Sequence, residues 1–468
     1  MAIREKFIRL RERIKAKLTL SPARKALLGE ILKQIVHVKR DRIQEKGDSI
    51  EEINENSDIG ELLYQSDIVL THQQAKEIVE DIEGDKEDRA KRQAFRNRNY
   101  PRTLWSNGVY YYFHRNATPE VRSVFAKGAK LWMKDTCIDF FESNSAPDKI
   151  RVFKQNGCWS YIGRIGGQQD LSLGHGCESP DWLDQFAKQT TATNENYGIT
   201  YDYGSIMHYG ANSASQNGRP TMVPHDPKYV ETLGSPIISF YELLMINTHY
   251  ECTKNCNPAT SAQCKMGGFP HPRDCKRCIC PSGYGGRLCD QRPAGCGTVH
   301  HATAQYQSFH DQLGHATGQR PREDMDFCHY WITAPQGSKI EIKIAGLSRG
   351  SAVNGCRYWG VEIKTHADQR LTGYRFCAPE HIGVRLVSNF HIVPIITYNR
   401  IYPTTVNIQY RIVGGNVGGP MPQPRTNNNC VDNQECSTLV RTKNFCHNRS
   451  YTTSVKRGLC PRACGFCH

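Results

Sequence analysis

Between Cys158 and Tyr209 the sequence gathers the side chains that could do chemistry: His175 and His208, Met207, and the tyrosines Tyr201, Tyr203 and Tyr209. Imidazoles and phenols bind divalent metals or carry protons. A hydrolytic zinc site needs two imidazoles one helical turn apart, a third further on, and a glutamate beside the first as general base. No histidine stands between Cys177 and Met207, and nowhere in the 468 residues is a His followed by Glu. Neither His175 nor His208 has a partner four residues away. A lone phenol with a pKa near 10 cannot hold zinc, so Tyr209 by itself makes no centre. No Ser or Cys nucleophile motif offers another route to hydrolysis.

Several elements must position these groups. Val109 to His114 is aromatic and β-branched and reads as a strand. Thr118-Pro119-Glu120 opens a helix, with Thr as N-cap, Pro at the first helical position and Glu on the positive end of the dipole. Val121, Val124, Phe125, Gly128 and Trp132 recur at helical spacing and form its core face. The length predicts about three or more domains. Twenty cysteines, most of them in the C-terminal half, point to disulfides and an oxidising compartment.

The formal charge of +14 is local: residues 1 to 42 hold 13 Lys or Arg against 4 Asp or Glu. Without a basic, reading surface on a folded module, nucleic acid is not an expected partner. No stretch has transmembrane length. The opening residues are charged and lack an apolar h-region, so no secretory signal is read in them although the cysteines point outside the cell.

Gly157-Cys158-Trp159-Ser160-Tyr161-Ile162-Gly163-Arg164, the run Gly166 to Cys177, and Tyr201-Asp202-Tyr203-Gly204-Ser205-Ile206-Met207-His208-Tyr209 resemble the flanks of the zinc site in astacin-family metalloendopeptidases, a branch of the metzincins. The resemblance implies an α+β metzincin-like peptidase domain over residues 93–252, zinc as the family's cofactor, and peptide-bond hydrolysis as its activity. The histidine motif between those blocks is missing. The family pattern resumes at Leu183 to Lys188, so the join falls near Ser179 to Trp182, an in-frame loss through splicing or the gene model. By the resemblance Met207 would lie under the metal and Tyr209 would be a switchable ligand, residual here. His175 and His208 match flanking positions. With the central helix gone, the region from Tyr100 to Cys252 is expected to be partly folded at best.

Residues 1–92 read as charged helices without an independent core. Leu63 to Leu70 resembles the family's pro-region signature, in which Asp67 would reach the zinc and displace the catalytic water. Arg89-Ala90-Lys91-Arg92 looks like a furin-type site, so a furin-like protease is an expected partner and Gln93 the expected new N-terminus. In active relatives that terminus meets the glutamate after the third zinc histidine, which is absent here. The resemblance pairs Cys137 with Cys252 and Cys158 with Cys177.

Further on, residues 253–292 have EGF-like cysteine spacing, and family pairing joins Cys256–Cys275, Cys264–Cys278 and Cys280–Cys289. No acidic cluster precedes Cys256, so calcium is not expected there. Residues 296–413 resemble a CUB domain, an all-β sandwich, with Cys296–Cys328 and Cys356–Cys377 as bridges. Alternation in Ser338 to Ile344 supports the sandwich independently. Trp359 follows Cys356-Arg357-Tyr358 where many CUB domains place a calcium-binding aspartate. Residues 414–429, rich in Gly and Pro, read as a linker. Residues 430–468 match the ShKT pattern, with Cys430–Cys467, Cys436–Cys460 and Cys446–Cys464 implied, bridges that so small a core requires. Asn116 and Asn448 head N-glycosylation sequons.

The expected architecture is therefore multidomain: pro-region, truncated astacin domain, EGF-like, CUB and ShKT. The order resembles nematode-type secreted astacins. The expected function is that of an extracellular zinc metalloendopeptidase rendered inactive by the missing helix. The alternative is a non-catalytic binding protein that holds extracellular proteins through its CUB and ShKT modules.

Overall fold

The structure is a computed structural model. It describes residues 20–64, 67–83, 94–96, 98–175, 194–213, 215, 217–315 and 321–414, and beyond them 436, 440–441, 446, 456, 460 and 462–465. The chain divides into two compact units, Met1–Gly415 and Asn416–His468.

The N-terminal segment carries helix α1 (Pro22–Gln34), helix α2 (Ile50–Glu55), strand β1 (Ile68–Val69) and helix α3 (His72–Glu83). Ser21 and Ser49 cap the first two by accepting from Arg24 N and Glu52 N. Helix α1 buries nothing, as its charged sequence predicts. Helix α2 places Ile50 and Ile53 in the core of the following domain, so the segment is held by a neighbour's core and not by one of its own.

After β2 (Ala94–Phe95) come β3 (Val109–Phe113), helix α4 (Pro119–Asp135), β4 (Phe140–Glu142), β5 (Lys149–Phe153), β6 (Cys158–Tyr161) and β7 (Gln168–Leu173). They build a six-stranded sheet in the order β1-β6-β7-β5-β3-β4. All neighbours run parallel except β6 and β7. Thr118 caps α4 from the position the sequence assigns it, and Val121, Val124, Phe125 and Gly128 are buried. Phe125 sits against Tyr111 and Phe113, with centroids 4.6 and 5.7 Å away. Trp132 is only half-buried.

On the far side of the join, β8 (Asn194–Glu195) pairs with β2, and helix α5 (Phe240–His249) closes the domain. A disulfide links Cys137 to Cys252, 115 residues apart. The described residues of this region share one packed layer. The apolar layer of α4 lies with Val109, Ile150, Val152, Leu171 and Leu173, all before the join, and Tyr250 packs on it from the other end.

A two-stranded ribbon of β9 (Phe269–His271) and β10 (Asp274–Ile279) follows, with disulfides Cys256–Cys275, Cys264–Cys278 and Cys280–Cys289. Next come β11 (Val299–His301), β12 (Gln307–Leu313), β13 (Asp326–Thr333), β14 (Ile340–Leu347), β15 (Trp359–Ile363), β16 (Tyr374–Phe376), β17 (Arg385–Val387), β18 (Ile392–Asn399) and β19 (Thr404–Ile412). They form two sheets, β11-β13-β18-β15-β16 and β12-β19-β14-β17. Alternation along β14 turns Ile340, Ile342 and Ile344 into the core between the sheets. Cys296–Cys328 and Cys356–Cys377 are bonded. In the second unit Cys436–Cys460 and Cys446–Cys464 are bonded, while Cys430, Cys467 and Asn448 lie outside the described residues.

The sandwich is not a free appendage of the first unit. Gly355, at φ +75°, comes so close to Gly234 that an added Cβ would stand 1.9 Å from the Gly234 carbonyl oxygen. Beside it, Arg375 donates to Glu362 in the sandwich and to Ser235 before α5, while Lys364 donates to Ser282 of the ribbon module. Glu362, Lys364 and Arg375 are each at most 2% exposed.

Candidate metal centre and the occupied edge strand

The outer edge of the sheet is β6, and the N-terminal segment covers it. β1 lies parallel to it, Ile68 opposite Ser160 and Val69 opposite Tyr161, and Ser160 N donates to Asp67 O at 3.2 Å. Earlier in the segment, on α2, the Asn54 side chain stands in for another strand. Its Nδ2 donates to Cys158 O at 2.8 Å and its Oδ1 accepts from Cys158 N at 2.7 Å. Gly157 makes room, since a Cβ there would meet Ile59 at 2.1 Å and Asn54 Oδ1 at 2.4 Å. Gln74 caps α3 reciprocally with Thr71 and donates to Ile162 O at 3.0 Å. The Asp67 side chain is fully buried at the head of β1.

Tyr201 to Tyr209 forms a tight turn between β8 and α5. Asp202 accepts from Gly204 N and from the backbone N and the hydroxyl of Thr372 in the sandwich. Gly204 lies against Thr372, whose side chain an added Cβ would meet at 2.2 Å. Met207 N donates to Ser205 Oγ and to Glu242 Oε1. Glu242 also completes a capping box with Ser239 at the start of α5. Burial pushes the Glu242 carboxyl up to about 7, and the nearby Asp202 charge adds to this. Asp202 is raised by burial as well, against hydrogen bonds that pull it down.

The two histidines are placed for other work. His175 is exposed at the last described residue before the join, and Cys177 lies outside the described residues, although Cys158 is disulfide-bonded. His208 is 4% exposed. Its Nδ1 faces Tyr209 O at 2.7 Å, so that nitrogen carries the hydrogen and Nε2 accepts from the Tyr201 hydroxyl. Both ring nitrogens are thus committed. Another buried imidazole, His249, bonds the Tyr197 hydroxyl at 2.7 Å and is pushed down to about 4 by burial and by Arg96.

Among the described residues the one cluster with metal-ligand proximity is Glu231, Cys356 and Cys377. Its two sulfurs are bonded to each other and cannot ligate. The donor set there therefore does not fit a zinc ion, and among the described residues no group of imidazoles converges at Met207. Sequence reading missed Asn54, Gln74, Asp202 and Glu242. Thr71-x-x-Gln74 and Ser239-x-x-Glu242 carry capping signatures that would have located two of them.

A sheet with its edge strand capped by an N-terminal segment, a helix packed behind it and a half-buried Met-containing turn before α5 defines a metzincin-type peptidase scaffold. The family model described as Astacin, a peptidase family, matches residues 97–182 and 178–251. The zinc metalloproteinase nas-31 of Caenorhabditis elegans is 43% identical over 412 residues, covering 80% of this chain and 67% of that protein. Its relative nas-32 is 32% identical over 432 residues, covering 84% of this chain and 63% of that protein. The hatching enzyme high choriolytic enzyme 1 of Oryzias latipes aligns with 35% of this chain and 99% of its own, at 21% identity and a TM-score of 0.28. The chain belongs to the astacin family of zinc metalloproteases. It spans about two thirds of the length of the two nematode relatives.

Proposed function

We propose that this chain is a secreted, zymogen-type astacin relative that, in the form given by this sequence, does not hydrolyse peptides. The single observation that carries the proposal is the absence of any His-Glu pair, and hence of the zinc-binding helix, between Cys177 and Met207. The family match supports it, because its two stretches meet at residues 178–182, where a continuous domain would place that helix. The commitment of both His208 nitrogens to neighbouring tyrosines supports it too. In complete members zinc supplies a polarised carbonyl and an activated water.

Under this proposal residues 1–92 are a pro-region cut by a furin-like protease at Arg92, outside the described residues. Residues 253–292 are EGF-like, 296–413 CUB and 430–468 ShKT, and 414–429 is a linker. The many disulfides and the absence of any helix long and apolar enough to cross a membrane, among the described residues, are compatible with export. The alternative reading is a non-catalytic protein that holds extracellular partners through its CUB and ShKT modules.

Purified, fully oxidised chain is expected to hold well under one zinc per molecule by elemental analysis and to leave azocasein intact. Stoichiometric zinc with casein cleavage would overturn the proposal. The genomic sequence between the codons for Ser179 and Trp182 is expected to contain the missing helix.

A further inference from the structure

The N-terminal segment has a second attachment, far along the chain from β1 and unrelated to the edge strand. Val38 is buried between Ala352 and Ala378 of the sandwich. Lys39 N donates to Glu380 at 3.2 Å. Arg40 forms two parallel bonds to Glu231, 2.5 and 2.7 Å long, in the turn Pro227–Thr232 of the peptidase-like domain. Asp41 N donates to Ala352 O at 3.0 Å, and Ala352 N returns a bond to the Asp41 carboxylate at 2.9 Å. Flanking residues continue the contact: Ile35 leans on Ala211, Val230 and Leu233, Ile43 packs on the sandwich core, and Tyr358 donates to Asp48.

Four consecutive residues thus fill a seam between two modules with one apolar plug, one bidentate cation and one reciprocal pair of bonds in which Asp41 uses its backbone N and its carboxylate. The Glu231 side chain is 2% exposed, and among the described residues Arg40 is its one ion-pair partner. Removing Val38–Asp41 would take the bidentate partner off Glu231 and uncover the apolar surface of Ala352 and Ala378. Its chemistry therefore calls for an arginine presented on an extended backbone.

We propose that this seam is a peptide-binding site for an extended segment of the form apolar–x–Arg–Asp. Val38–Asp41 fills it in cis and keeps the N-terminal segment attached after the chain is cut at Arg92. The last point rests on the proposed pro-region and its cleavage. The site accounts for a segment whose first helix, α1, buries nothing, while the residues after it touch both the peptidase-like domain and the sandwich.

The test uses the full chain with residues 89–92 replaced by the recognition sequence of a site-specific viral protease and a tag at the C-terminus. After the cut, the fragment of residues 1–92 is expected to stay with the tagged body. Arg40→Glu and Glu231→Arg are each expected to release it at least about tenfold faster, and the two together to restore retention. Glu231→Gln, which removes the carboxylate charge at nearly unchanged side-chain size, serves as the variant that keeps the fold and is expected to release faster as well. Equal release from wild type, Arg40→Glu and Glu231→Gln would overturn the site, as would release from the wild type at once. Furin treatment of the native chain is read separately, by N-terminal sequencing. A failure to cut there would remove the Arg92 reading and leave the seam standing.

Discussion

At the scale of single residues, the side chains that organise the peptidase-like domain are polar groups placed where water is absent. Glu242 is the clearest: it ties the Met-containing turn to the start of α5, and its folded pKa of about 7 lies above the value near 4.5 it has when exposed. The folded state therefore binds this proton more tightly, so its contribution to stability is complete below pH 4.5 and is lost as pH rises toward 7. Urea unfolding is expected to show a loss of at most about 3 kcal/mol across that window, and Glu242→Gln to flatten it. Asn54 acts by shape. Asn54→Leu leaves the Cys158 backbone without its amide partner and is expected to cost about 2 kcal/mol in the same assay. The Thr118 cap was legible because donor and acceptor are three residues apart. Asn54 was not, because its partner is 104 residues away and nothing local marks an amide that will imitate a strand.

At the scale of elements, local pattern and tertiary partner separate cleanly. Strand β3 and helix α4 follow from β-branched and helical periodicity, and the alternation in β14 follows from its pleat. The order of the sheet does not follow, since its parallel neighbours are joined by long crossovers whose partners no short pattern names. The Met-containing turn was legible as a turn, but its support from Thr372, 170 residues beyond Asp202, was not. The contact of Gly355 with Gly234 is equally nonlocal. Gly355→Ala adds a methyl 1.9 Å from a carbonyl oxygen at a left-handed φ, and is expected to cost at least about 2 kcal/mol and to lower the thermal midpoint.

At the scale of the whole molecule, composition and cysteine spacing forecast several modules but not how three of them share one charged interior. Glu362 neutralises Arg375 and faces Lys364, whose pKa burial lowers to about 8. Glu362→Ala strands two buried cations and is expected to cost about 3–5 kcal/mol, whereas Lys364→Met removes one and is expected to be close to neutral. Calorimetry of the two variants separates those outcomes. The bond between Cys137 and Cys252 encircles the join. A nick at any peptide bond inside that ring leaves both halves travelling together through a gel. Only a reductant lets them run as separate bands, so damage to the peptidase-like region would go unseen in any assay that keeps the sulfurs oxidised.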